Sequence, residues 1–207
     1  MDSKIAVRQL KKIGGALDEM GESPRLAAEG WSENWQTLIA IMLSAQTRDT
    51  KTVAVCEKLF KKYDKVEKLG KARLSSIEKD IGSINYYKTK ARHIKAMSGM
   101  IADEGLVAKS VEDLIKFPGV GRKTANVYLV EVNKAAAIGV DTHVGRISRK
   151  MGWTKNLDPN KVEKDLEKLF PRRYWNSINW ILVRFGQTVG RSRKREDEAL
   201  ERIKKGN

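Results

Sequence analysis

A chain of 207 residues with 41% hydrophobic and 32% charged side chains is long and apolar enough to bury a core, as one large domain or two small ones. Lys and Arg number 41 against 26 Asp and Glu, and the resulting net charge of +15 points to a polyanionic partner, nucleic acid first, with a lysine-rich surface kept for solubility as the plainer reading. No apolar run approaches the ~20 residues that cross a bilayer, and one cysteine, Cys56, excludes an internal disulfide and any zinc site or cluster held by several thiolates.

Taken in chain order, the apolar spacing predicts helices throughout and an all-α protein. The first 21 residues carry acids and no unbroken apolar stretch, so a signal peptide is not expected there and a reducing, cytoplasmic setting is. A first helix should stop at residues 21–24, where glycine and proline fall together. Leu38, Ile39, Ile41, Met42 and Leu43 form a strongly apolar segment, and Val53, Val55, Leu59 and Phe60 continue at helical spacing. Gly70 is expected to close a helix carrying Val66 and Leu69, and residues 82–87 to form a short turn. Ser110 should cap a helix starting near Val111, with Asp113 at its third position. Pro118, Gly119 and Gly121 mark a tight turn. Val162, Leu166 and Leu169 recur at four and three residues; Pro171 then marks a boundary, and Trp175, Ile178, Ile181 and Leu182 form another stripe. Residues 191–207 are highly charged, with Leu200 and Ile203 as the larger apolar residues, which reads as a weakly anchored helix or partial disorder.

The most informative segment is Phe117, Pro118, Gly119, Val120 and Gly121, followed at once by Arg122 and Lys123. Gly119 and Gly121 permit positive φ and close approach of another backbone. Consecutive N–H groups of such a turn, backed by the positive end of the next helix, bind a phosphate without sequence preference. An ordinary helix–helix connection is the bland alternative.

This segment resembles the helix-hairpin-helix of the endonuclease III superfamily of DNA glycosylases, whose pattern is Leu-Pro-Gly-Val-Gly-Arg-Lys-Thr-Ala. The chain departs from it only in Phe117. Two further signatures stand in order: Leu43, Ser44, Ala45 and Gln46 with Asp49, and Val140, Asp141, Thr142 and His143. The similarity runs from about residue 38 to 186.

The resemblance implies two helical domains with a DNA-binding cleft between them: a helical barrel over 28–135 carrying the hairpin, and a second domain joining 1–27 to 136–207. It implies a bifunctional DNA glycosylase and abasic-site lyase of base excision repair, acting as a monomer on double-stranded DNA with an oxidised pyrimidine such as thymine glycol, or an abasic site. Lys123 matches the family's catalytic lysine. Amine attack at C1′ gives an imine with the sugar, and the imine acidifies C2′–H so that the 3′ phosphate leaves by β-elimination. Asp141 matches the aspartate that steadies the oxocarbenium-like state and shuttles protons; by position alone it reads as an N-cap.

The resemblance also assigns DNA contacts to Pro118, Gly119, Val120, Gly121, Arg122 and His143, the last being a phosphate or structural contact. The target nucleotide must be flipped out of the stack, and the space it vacates is filled by Gln46 and by the turn at Ile84, Asn85, Tyr86 and Tyr87. The alternative for Gln46 is a buried helix-end amide. The family often has Ile-Gly-Leu-Tyr at the turn. Asn85 is expected to take the left-handed backbone there, with Tyr86 stacking where leucine wedges, as in related adenine-mismatch glycosylases.

Most relatives carry a four-cysteine iron–sulfur cluster whose first cysteine would fall near Val189 or Gly190; here none is present, so no cofactor and no metal are expected. The basic run at 191–195 is then a DNA contact or a solvated tail. A glycosylase for 8-oxoguanine or a mismatched base, and a non-catalytic DNA-binding module, remain as alternatives.

Overall fold

The computed structural model describes residues 1–21, 25–105 and 108–206. Among the described residues the regular structure is helical, with no strand. The helices are α1 (Ser3–Asp18), α2 (Asn34–Ser44), α3 (Asp49–Lys62), α4 (Val66–Lys71), α5 (Leu74–Asp80), α6 (Tyr87–Glu104), α7 (Val111–Leu114), α8 (Arg122–Asn133), α9 (Thr142–Lys150), α10 (Pro159–Leu169), α11 (Trp175–Thr188) and α12 (Arg193–Lys205). They fall into two compact units, Pro24–Asn133 with α2 to α8, and Met1–Ser23 with Lys134–Asn207, holding α1 and α9 to α12.

In the first unit α2 is the central element, packed against α3, α6 and α8. Neighbours on several sides bury every residue from Trp35 to Leu43. That is why the segment reads as an apolar run instead of a one-sided stripe. Gly70 does not terminate α4 as expected; it lies inside the helix. A Cβ at Gly70 would stand 3.1 Å from the Gly99 backbone nitrogen, so the glycine lets α4 lie close along α6. Ser110 caps α7 as the sequence predicts, accepting from the Asp113 N–H at 3.1 Å and donating to its carboxylate at 2.8 Å.

In the second unit α1 packs against α11 and α12, and α9 against α11. Asp2 caps α1 by accepting from the Lys4 N–H at 2.8 Å. The helix ends at Asp18, before Gly21, and residues 22–24 of the expected stop lie outside the described residues. Trp153 Nε1 donates to Gln9 Oε1 at 2.9 Å within the core, joining α1 to the turn after α9. The charged C-terminal stretch is a docked helix. Glu196, Leu200 and Ile203 share one buried face of α12, spaced four and three residues apart, and each buried apolar side chain is worth about 2 kcal/mol.

Candidate active site

The hairpin begins where α7 stops. The Phe117 N–H donates to the Leu114 carbonyl at 3.1 Å, and the Val120 N–H turns back to the Phe117 carbonyl at 3.1 Å. Val120 is therefore an anchor: its side chain is buried and its backbone donor is used inside the turn. This interrupts the expected run of outward donors. Among the described residues, the N–H groups of Gly119, Gly121 and Lys123 take no backbone acceptor, and the positive end of α8 lies behind them.

The two glycines serve different ends. Gly119 alone has positive φ, at +81°, and a Cβ there would also lie 2.5 Å from His93 Nδ1. Gly121 has an ordinary φ, and a Cβ on it would meet nothing within 4 Å, so it leaves open space over the turn. His93, a residue of α6 that the sequence reading passed over, thus packs directly on the hairpin. Arg122 opens α8 and is exposed; Lys123 follows, half-buried, in the first turn.

Asp141 is the N-cap of α9, in extended backbone, and its Oδ1 accepts from the Val144 N–H at 2.8 Å. The cap consumes one carboxylate oxygen. Oδ2 makes no hydrogen bond to the described residues, so the helix fixes the group while leaving one oxygen for other work. His143 is held structurally: its Nδ1 lies 3.2 Å from Arg146 Nη2, and a Cβ on Gly186 of α11 would overlap the ring.

Arg146 carries this further. Its Nε and Nη2 donate to the Glu196 carboxylate at 2.9 and 2.6 Å, and Lys150 Nζ adds a third bond at 2.7 Å. Burial alone would raise the Glu196 carboxyl, but the hydrogen bonds from Arg146 and Lys150 outweigh it and hold the group below its ordinary value. Glu196 was missed in sequence because it reads as one more charge in a charged tail.

Gln46 and Tyr86 share a backbone feature. Both lie in the left-handed region, at φ +57° and +58°, which costs a non-glycine residue about 1 kcal/mol. Tyr86, not Asn85, takes the left-handed conformation: it is the N-cap of α6, and its side chain is 65% exposed. Asn85 acts through its side chain, donating from Nδ2 to the Gln46 carbonyl. Gln46 is exposed, which removes the alternative of a buried helix-end amide. Lys90 was also missed. Buried at 6% exposure, its ammonium donates to the Leu43 and Ala45 carbonyls at 2.8 and 2.6 Å, and burial pushes its pKa down to about 8.

A Cβ at Gly190 would overlap Glu196 Oε2 and lie 3.2 Å from Arg146 Nη2, so the ion pair takes the space beside it. Cys56 is buried on α3, and burial raises its thiol to about 12. No group of three or more His, Cys, Asp or Glu able to hold a metal occurs among the described residues.

In the first unit the structure thus joins the Gln46 and Tyr86 turns through Asn85 and sets Lys123 directly behind the hairpin; in the second it places Asp141 and His143 on one helix start. Residues 39–172 match the model of the HhH-GPD superfamily base excision DNA repair protein. Endonuclease III of Thermotoga maritima is 39% identical over 160 residues, 76% of this chain and 75% of that protein. Endonuclease III of Bacillus subtilis is 37% identical over 183 residues, 86% of this chain and 84% of its own. A solved structure of a trapped endonuclease III–DNA covalent intermediate superposes with a TM-score of 0.83 at 31% identity, covering 93% of this chain and 89% of the other.

Proposed function

The chain belongs to the HhH-GPD superfamily of base excision DNA repair proteins and is a DNA glycosylase with abasic-site lyase activity; from that premise we propose that Lys123 is its nucleophile, Asp141 its working carboxylate and oxidised pyrimidine, thymine glycol above all, its substrate. The observation that carries this reading is the position of Lys123 in the first turn of α8, immediately behind a hairpin whose free N–H groups suit a phosphate.

The Lys123 amine attacks C1′ as the C1′–N bond to the base breaks, and the departing base anion takes a proton from water. Asp141, one oxygen fixed by the α9 cap, steadies the positive charge developing at the sugar and accepts the ammonium proton. Ring opening gives the imine. Loss of a C2′ proton then expels the 3′ phosphate through cleavage of the C3′–O bond, and water hydrolyses the imine to return the lysine. Gly119, Gly121 and Arg122 hold backbone phosphates, with Pro118 and Val120 shaping the turn, and Gln46 and Tyr86 fill the gap left by the flipped nucleotide. His143 contributes through Arg146, keeping the start of α9 in place.

The enzyme works as a monomer on duplex DNA, in the cytoplasm, without an iron–sulfur cluster; the single cysteine and the Glu196 ion pair beside Gly190 support the last point. Tyr86 in place of a wedging leucine favours a second reading, an oxidised or mismatched purine as the base removed. Base release and nicking measured on matched duplexes holding thymine glycol, 8-oxoguanine or an adenine mismatch decide between them. Fastest turnover on thymine glycol, with nicking in step with release, is expected; preference for either purine duplex overturns the substrate assignment.

A further inference from the structure

Gln46 and Tyr86 lie on separate loops, and the side chains of Lys90 and Asn85 tie the second of these segments to the first. Lys90 lies in the first turn of α6, where its N–H makes the ordinary helical bond to the Tyr86 carbonyl at 3.0 Å, and its Nζ donates to the Leu43 and Ala45 carbonyls at the end of α2. Those carbonyls belong to the last turn of a helix, where the ladder leaves acceptors without partners and the dipole favours a cation. Asn85 closes the same connection from the other side through the Gln46 carbonyl. Neither side chain consumes a polar group of Gln46 or Tyr86 beyond the backbone, so both wedge side chains stay exposed while their backbones are pinned.

Packing alone does not account for Lys90. A buried ammonium pays a desolvation cost that an apolar residue of similar length would avoid. Strained left-handed backbones such as those at Gln46 and Tyr86 persist only where their surroundings over-determine them; Asn85 bonds the Gln46 carbonyl directly, and Lys90 ties the start of α6 to the Leu43 and Ala45 carbonyls just before Gln46.

We infer that Lys90 and Asn85 form a clasp that presents Gln46 and Tyr86 together for insertion into the duplex, which makes Lys90 a positioning residue for nucleotide flipping. This rests on the roles proposed for Gln46 and Tyr86. The clasp touches neither sugar nor base, and it matters only where a stacked, paired nucleotide has to be displaced. A single-stranded abasic site, which has no stack to open, does not need it.

The test compares kcat and KM on duplex DNA holding thymine glycol with nicking of a single-stranded abasic oligonucleotide. Lys90→Met is expected to lower duplex kcat/KM about tenfold or more and to change single-stranded nicking less than about twofold. Asn85→Ala, at an exposed position that the fold tolerates, should show the same selectivity with a loss of about threefold. The pair Gln46→Ala with Tyr86→Ala should reproduce the duplex defect, and adding Lys90→Met to it should cost nothing further. A wild-type rate from the Gln46→Ala, Tyr86→Ala pair on the duplex overturns the wedge assignment. A defect in that pair, with Lys90→Met and Asn85→Ala both normal on the duplex, overturns the clasp alone. Equal loss on both substrates for Lys90→Met, with Asn85→Ala unimpaired, reduces Lys90 to a fold residue and also overturns it.

Discussion

At the hairpin the N–H groups of Gly119, Gly121 and Lys123 find no backbone acceptor among the described residues. On α12 the buried Glu196 takes three hydrogen bonds from Arg146 and Lys150, 50 and 46 residues earlier in the chain. The two regions use their donors differently. Where backbone donors stay open over empty space, as at Gly121, there is room for the phosphate contact proposed for this turn. Where side-chain donors close on an internal carboxylate, they build the frame that holds α9, the helix Asp141 caps.

Breaking each region should therefore give different defects. The largest effect is expected from Asp141→Asn, which keeps a good N-cap and removes the carboxylate. Base release should fall about 10²- to 10³-fold with little change in melting temperature, while Asp141→Ala should lose about 1 kcal/mol of stability besides. Equal activity losses with equal stability losses in both variants would make Asp141 a cap and nothing more.

Glu196→Gln should act on the frame. Leaving Arg146 and Lys150 without their buried carboxylate is expected to cost roughly 2–3 kcal/mol, discounted for their partial exposure, in denaturant unfolding at pH 7. The pH dependence has a definite sign. The folded-state pKa of Glu196 lies below its ordinary 4.5, so its stabilisation is fully present above that value and is lost as pH falls through the lowered one. The gap between wild type and Glu196→Gln should therefore close in acid; a gap constant down through that range would mean that the ion pair carries no net stability.

Gly119→Ala sharpens the hairpin side. Positive φ and the approach of His93 should together cost about 1–2 kcal/mol of stability and weaken binding to undamaged duplex. The smallest effect is assigned to Arg122→Ala: affinity should drop alike for all sequences, and the slope of log affinity against log salt should shrink by about one. An unchanged slope would remove Arg122 from the phosphate contacts.

What was legible in the sequence was whatever chemistry is local. The Ser110 cap, the Asp141 cap and the turn at Pro118 and Gly119 each depend on groups a few residues apart, and each stands in the structure as the spacing predicts. Features set by distant partners were not legible. The burial of Glu196 requires α9, the cation at Lys90 requires the end of α2, and Gly70 requires the backbone of α6. The turn at residues 84–87 was half legible. A left-handed residue was expected there, but the tie from Asn85 to Gln46 uses the asparagine side chain and leaves the positive φ to Tyr86.

The most direct test of the central claim is borohydride trapping on duplex DNA holding an abasic site or thymine glycol, with wild type beside Lys123→Ala. A covalent protein–DNA adduct is expected from the wild type and none from the variant, with both proteins still binding the duplex. An adduct of equal yield from Lys123→Ala would move the nucleophile to another amine, and no adduct from a wild type that binds both duplexes would contradict the imine mechanism itself.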